Sequence, residues 1–491
     1  MLYPGWYMAG YGDAPPHRLQ HSHCPAASSM TTSEMPRLGL WLLWLSAIPL
    51  APARAQTPDS ARHTWSLHWQ NTDMLEYAAP FPAAYSGAHS LGNRGQTDET
   101  VSADVFVARR LWSGGELHAD VLAWQGSGLS TSFGIQNFPD ADAYKAATRV
   151  PNYMFAHLYL QQTFGLGGHK EPVDDAPMMI ADRQDVSRIT LRLGRMTPLD
   201  QFDHNAYAAD GHRQFMSWGA TANMTWDYGQ NTIGYETGLT AELNQPDWAL
   251  RYSFFLMPPY VNARNVGSGD GGDDRFLTWP PRGRYGPLDK SWAQAVEGER
   301  HYSIDSHPGA VRLLAWVDEA KTVDYDLAAQ VLAAQGPAID LTPYEADHYS
   351  YGVGLNMEQE MAPNVGLFSR IGWNDGKAQA LEFTDTNWAA SIGASFGGLT
   401  WHRPSDALGV AGFLAGASAA NQRYLEAGGL GILSGDGRLH YDAERSVTAY
   451  YDAAMSTSLH AAIQYQFTAN PNFNRDRGPA STVMFRLHFE R

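Results

Sequence analysis

The side chains of this chain that could do chemistry are scattered rather than assembled into a reactive motif. No nucleophile–base pair is visible in the sequence, and no H-E-x-x-H pair offers a zinc site. His301 and His307 are the nearest approach to a histidine cluster, so neither a metal nor a cofactor is expected. The acidic run GSGDGGDDR (267–275) lacks the spaced ligands and terminal Glu of an EF-hand loop and reads as a surface loop. What remains is reversible hydrogen bonding and charge pairing, which is not the equipment of an enzyme. Arg dominates the basic set, with lysines only at Lys145, Lys170, Lys290, Lys321 and Lys377. A planar guanidinium fork suits hydroxyls and carboxylates, although a GC-rich genome produces the same bias.

The elements that must position these groups alternate with period two, and no long helix competes with them. In 347–359, Tyr349, Tyr351, Val353, Leu355 and Met357 share one face; His348, Ser350, Asn356 and Glu358 share the other. Trp248, Leu250, Tyr252, Phe254 and Leu256 likewise oppose Arg251, Ser253 and Phe255. Sixteen such segments can be read: 62–70, 99–110, 116–125, 152–164, 187–195, 231–243, 247–257, 311–318, 325–335, 347–359, 364–374, 386–397, 406–416, 445–455, 457–468 and 481–489. The stretch 215–226 is assigned to a loop. Connections tend to alternate between long (71–98, 126–151, 196–230, 258–310, 417–444) and short, except that the acidic stretch 165–186 is long where a short turn is due.

The bulk properties restrict the setting. A formal charge of −17 argues against a nucleic-acid partner. Mean hydropathy is −0.36, and the one apolar run near membrane length, 38–50, is too short and too early for a mature helical span. Pro36-Arg37, the stretch LGLWLLWLSAIPLAP and Ala53-Arg54-Ala55 form a charged, apolar and small-x-small series. They predict an export signal cleaved between Ala55 and Gln56, with Met30 or Met35 as a possible start. The organisation is then a 1–55 pre-sequence and a single 56–491 domain. The only cysteine, Cys24, falls in the pre-sequence, so the mature chain carries no thiol.

An exported sandwich would also alternate. Two observations favour strands closed in a membrane instead. Apolar faces end in aromatics (Trp248, Tyr349, Trp373, Trp388, Tyr465, Phe489), as interface girdles require, and the opposite faces mix Arg, Asp, Glu, His and Gln, as a wet lumen would. An open sheet edge cannot sit in lipid, so the predicted fold is an all-β transmembrane antiparallel barrel of about sixteen strands. Outer-membrane lipid and lipopolysaccharide then surround it. By parity, Arg188 and Arg192 face the lumen opposite Ile189, Leu191 and Leu193, joined by Glu236, Glu242, Arg251, Arg370 and Arg486. The loop 196–230, with Asp200, Asp203, His204, Asn205, Arg213, Trp218 and Asp227, is the expected constriction. Asn472, Asn474, Arg475, Asp476 and Arg477 read first as a turn network.

Two stretches carry more than pattern. One holds LRLGRMTPLDQFDHNAYAADGHRQFMSWG and TWDYGQNTIGYETGLTAELNQPDWALRYSFFLMP. The other holds NVGLFSRIGWNDG, WHRPSDALGVA, YLEAGGLGILSGDGRLHY and NPNFNRDRGPAS, then FRLHF; HPGAVRLLAW is a fainter third. In wording and order they resemble the carbohydrate-selective, OprB-like porins. The resemblance implies sixteen strands, passive uptake of small sugars and a lumen narrowed by inward-folded loops. The long 165–186 connector, the 258–290 loop and the Glu490-Arg491 ending after Phe489 depart from it. A general or organic-anion-preferring porin on the same barrel stays open as the alternative, as do a trimer and a monomer. An outer-membrane enzyme and a soluble lectin-like protein are weaker readings.

Overall fold

The computed structural model describes residues 63–143, 148–230, 234–257, 290–381 and 383–491. Among them, sixteen antiparallel strands close into one barrel in chain order, the first pairing with the last. They are β1 (Trp65–Ala78), β2 (Gln96–Trp112), β3 (Gly115–Gly126), β4 (Thr148–Gly165), β7 (Arg188–Met196), β8 (Glu236–Asn244), β9 (Trp248–Leu256) and β10 (Trp292–Ile304). The circuit continues with β11 (His307–Thr322), β12 (Ala346–Ala362), β13 (Val365–Asn374), β14 (Trp388–Gly397), β15 (Ala407–Gly416), β16 (Glu444–Ala454), β17 (Leu459–Ala469) and β18 (Ala480–Glu490). Strands β5 (Lys170–Val173) and β6 (Asp182–Asp185) form a separate two-stranded sheet inside the 165–186 connector. The pre-sequence and the acidic run 267–275 lie outside the described residues.

Fifteen of the sixteen sequence-read segments are strands, and two errors cancel in the count. The segment 325–335 is an α-helix, α1 (Tyr325–Gln335), not a strand. Asp324 caps it by accepting from the Leu327 amide (2.9 Å), Gly336 follows it at φ 88°, and its alanines favour helix over sheet. Conversely, residues 292–304, read as part of a long loop, are β10. Its outward face (Trp292, Gln294, Val296, Gly298, Arg300) carries too much polarity for the alternation to stand out. Left-handed φ at Asp305 and Ser306 lets a two-residue turn join β10 to β11.

The outer face is apolar and open. Ile392 is 67% exposed and Leu313 62%, within a continuous belt of such residues. A soluble monomer does not expose apolar surface on this scale. Trp292, Tyr349, Tyr351 and Trp373 ring the long-loop end, with Trp65, Trp112 and a stacked Trp69–Phe489 pair (4.5 Å) at the other. The Glu490-Arg491 ending does not interrupt closure: Trp69 and Arg491 exchange both backbone hydrogen bonds (2.9 and 3.0 Å). Ile392→Arg is expected to lower barrel stability by about 2–4 kcal/mol, the cost of a guanidinium near the bilayer midplane. Urea unfolding in lipid vesicles measures it; an unchanged midpoint would contradict the lipid-facing assignment.

Candidate functional site

The lumen is built by register. On β8 to β13 the inward residues fall directly opposite one another: Glu242 with Arg251, Arg251 with Glu297, Glu299 with Arg312, Arg312 with Asn356, and Asn356 with Arg370. Cross-strand neighbours of opposite charge attract at this spacing. Arg251 meets Glu242 (2.7 Å), Glu297 (2.8 Å) and Glu299 (2.6 Å). Arg312 meets Glu299 (3.0 Å) and Glu358 (3.2 Å). Six adjacent strands therefore carry one girdle of alternating charge.

The loop between β7 and β8 folds inward onto this girdle. Arg370 grips both carboxylate oxygens of Asp203 (3.1 and 3.0 Å) and the carbonyls of Asp203 and Ala220 (both 2.9 Å). The Asp203 amide donates to Glu297 (2.8 Å), and Asn205 donates to Asn356 (2.8 Å). A Cβ at Gly372 would collide with Asn223 of the loop, so glycine is what allows the close approach. Across the lumen the same loop reaches β4, where His157 bridges Asp120 and Asp200 (3.0 Å each). Arg213, half-exposed, reaches Glu490 (3.4 Å) at the short-turn end.

A second loop, between β3 and β4, enters beside it. The Gln136 and Asn137 amides donate to buried Glu444 (2.8–3.0 Å), and the Gly219 amide donates to Asn137 (2.7 Å). In this loop Asp140 accepts from the Thr100 hydroxyl (2.8 Å), and burial together with the Asp142 charge pushes its carboxyl up to about 7. The seated loop thus holds a proton that the released loop, with a carboxyl near 3.8, gives up. That advantage is complete at low pH and is lost as pH rises through about 7. Protease nicking of the 127–143 loop is expected to be slower at pH 5 than at pH 8, and Asp140→Asn is expected to shrink the difference. A pH-independent wild type would refute the coupling.

A cavity of about 370 Å³ lies against the opposite wall, towards the short turns, lined by Arg110, Glu116, Gln161, Arg188, Arg192 and Glu242 together with the β5–β6 hairpin. Arg192 donates to Gln161 (2.8 Å) and lies over the Tyr159 ring, 5.5 Å from its centre. Arg188 pairs with Glu171 of the hairpin (2.7 Å).

The sequence-selected residues therefore divide. Arg188 and Arg192 line the cavity, and Arg251 is the hub of the girdle. Asp203, Asn205 and Arg370 are buried and hold the inward loop in place. Trp218 is 4% exposed, stacked on Phe383 (5.0 Å) in an apolar cluster under the outer loops, so it offers no platform to a solute in this arrangement. Glu236 is buried at the head of β8. Arg486 holds the inward loop through the carbonyls of Gly211 and Gln214 (2.7 and 3.0 Å). Asn474 and Arg477 sit in a buried turn network with Asp436. Sequence reasoning missed Glu297 and Glu299, because β10 was read as loop. It also passed over Glu116, which strand parity in 116–125 could have placed, and Gln161 and His157, where an irregularity at Ala156 breaks the parity of 152–164. Among the described residues no group of three metal-ligating side chains occurs.

A family model for the carbohydrate-selective porin, OprB family, matches residues 88–490. No curated protein matches the chain. Among solved structures, Pseudomonas putida OprB at high pH is 14% identical with a TM-score of 0.65, covering 87% of this chain and 94% of its own. The low-pH form of the same porin is 9% identical with a TM-score of 0.45, over 87% and 93%. The outer-membrane channel DcaP of Acinetobacter baumannii is 8% identical with a TM-score of 0.44, over 89% and 100%.

Proposed function

The chain belongs to the carbohydrate-selective porin, OprB family, and on that premise we propose that small sugars diffuse passively through its lumen into the periplasm, between the inward loop and the wall of β2 to β8. The family and fold are those of an outer-membrane channel rather than an enzyme. The observation that carries the proposed path is the position of the 370 Å³ cavity, whose wall presents Arg, Glu and Gln together. Selectivity in such a pore comes from its radius and from lining donors and acceptors that bind weakly enough to release. Gln161, Glu116, Arg188 and Arg192 take the role of sugar contacts. Asp203, Asn205 and Arg370 set the radius by fixing the loop, and Arg251 sets the local field.

Residues 1–55 serve as an export pre-sequence, leaving 56–491 as the barrel, its belt in contact with lipid and lipopolysaccharide. Amino-terminal sequencing of the membrane-extracted protein tests this, and a mature chain still beginning before residue 55 would refute it. Liposome swelling with a panel of mono- and disaccharides tests transport. Swelling should fall with sugar size, and single-channel current should be blocked by sugars that enter. Vesicles that swell no faster than protein-free controls would overturn the reading.

A further inference from the structure

The connector between β4 and β7 is long where this barrel otherwise uses short turns. It does not hang free: it folds under the inner mouth of the barrel. Its β5–β6 hairpin is held at three points of the wall, by Arg110–Asp182 (3.0 Å), Arg188–Glu171 (2.7 Å) and His68–Asp175 (3.2 Å). Between its strands the chain turns back through a left-handed Met178, which packs against the cluster containing Tyr159, Met196 and Phe255, and Ile180 is buried. The hairpin thereby supplies the floor of the 370 Å³ cavity and Arg192 part of its wall.

The charge inventory of that chamber is lopsided. Each carboxylate that lines it already faces a cation: Glu116 and Asp182 face Arg110 (2.9 and 3.0 Å), Asp185 faces Lys170 (3.6 Å), and Glu242 faces Arg251 (2.7 Å). Two guanidinium groups in the lining have no carboxylate partner among the described residues. Arg192 bonds only the Gln161 amide oxygen and lies over Tyr159, and Arg183 bonds only the Lys170 carbonyl (3.2 Å). A planar guanidinium with free N–H groups is the natural receptor for a carboxylate, which it can meet with two parallel hydrogen bonds. Gln161 and Thr190 beside Arg192 add hydroxyl partners.

We propose that the 166–187 connector encloses, at the inner mouth, a binding chamber for an acidic monosaccharide whose carboxylate is received by Arg192. This rests on the sugar-channel reading and narrows it to a substrate class. The chamber is a transit site, because partly exposed ion pairs hold its floor and salt weakens them.

The test uses the full mature protein in planar bilayers, with sodium glucuronate and glucose as probes of channel block and heat-modified gel migration as the check on folding. Glucuronate should block at concentrations about tenfold below glucose, the worth of one charge-assisted pair. Arg192→Gln should bring the two sugars to near parity, and Arg192→Lys should recover part of the preference. Replacing 168–184 by a short Gly-Ser link should abolish the preference while raising conductance. Equal block by the two sugars in the wild type, or a preference undiminished in folded R192Q, would overturn the assignment. Failure of glucose to enter liposomes alongside intact glucuronate block would instead overturn the neutral-sugar pathway and leave the chamber standing.

Discussion

Asp203→Ala is expected to release the inward loop and raise single-channel conductance severalfold. The Asp203 carboxylate, 3% exposed, accepts from Arg370, from Asn356 (2.7 Å) and from the Asn223 amide (2.7 Å). Truncation leaves a guanidinium at 3% exposure with its charge uncompensated and the Asn223 amide without this acceptor, while Asn356 keeps the Asp203 carbonyl (2.9 Å). Removing one partner of a buried ion pair costs about 3–5 kcal/mol. The barrel itself is held by its backbone ladder and should stay folded, so the loss is local. Asp203→Leu with Arg370→Met replaces both charges by apolar groups and should recover most of the loop's protection from protease. Wild-type conductance and wild-type protection in Asp203→Ala would mean that the loop is held elsewhere.

How far this latch could be read in advance turns on particular residues. Asp203 and Arg370 both stood out in the sequence, one in a loop of unusual composition and the other on the polar face of a strand. Their contact did not, because it joins residues far apart in the chain and parity gives only a side chain's face, not its depth in the lumen. Strand periodicity was legible wherever the lipid-facing positions are uniformly apolar, as in β12, β17 and β18. It failed at β10, whose outward Gln294, Gly298 and Arg300 dilute the signal, and so two members of the girdle were lost with it. At 325–335 alternation misled, because the capping Asp324 and the following Gly336 were the stronger local signals. The burial of Trp218 was illegible for another reason: an aromatic residue on an inward loop reads equally as a platform for a solute or as packing for other loops.

The girdle carries the second large effect. Arg251→Met is expected to destabilise the protein by about 3–5 kcal/mol and to shift the channel towards cations. Arg251 faces three carboxylates, of which Glu297 is wholly buried and Glu299 nearly so. Arg312 still partners Glu299 after the change, but Glu242 and Glu297 lose their only ion-pair contact among the described residues. Removing one positive charge beside the path makes the local potential more negative, so the reversal potential in a KCl gradient should move in the direction of greater potassium permeability. Glu297→Gln in the same chain removes the most buried of the stranded charges and should recover a substantial part of both effects. Because the Asp203 amide donates to Glu297, the girdle also holds the start of the inward loop. The Arg251→Met and Asp203→Ala effects on protease protection should therefore fall short of additive, since each already loosens the support the other needs. Strict additivity, with no change in ion preference, would separate the girdle from the loop and leave Arg251 as wall charge alone.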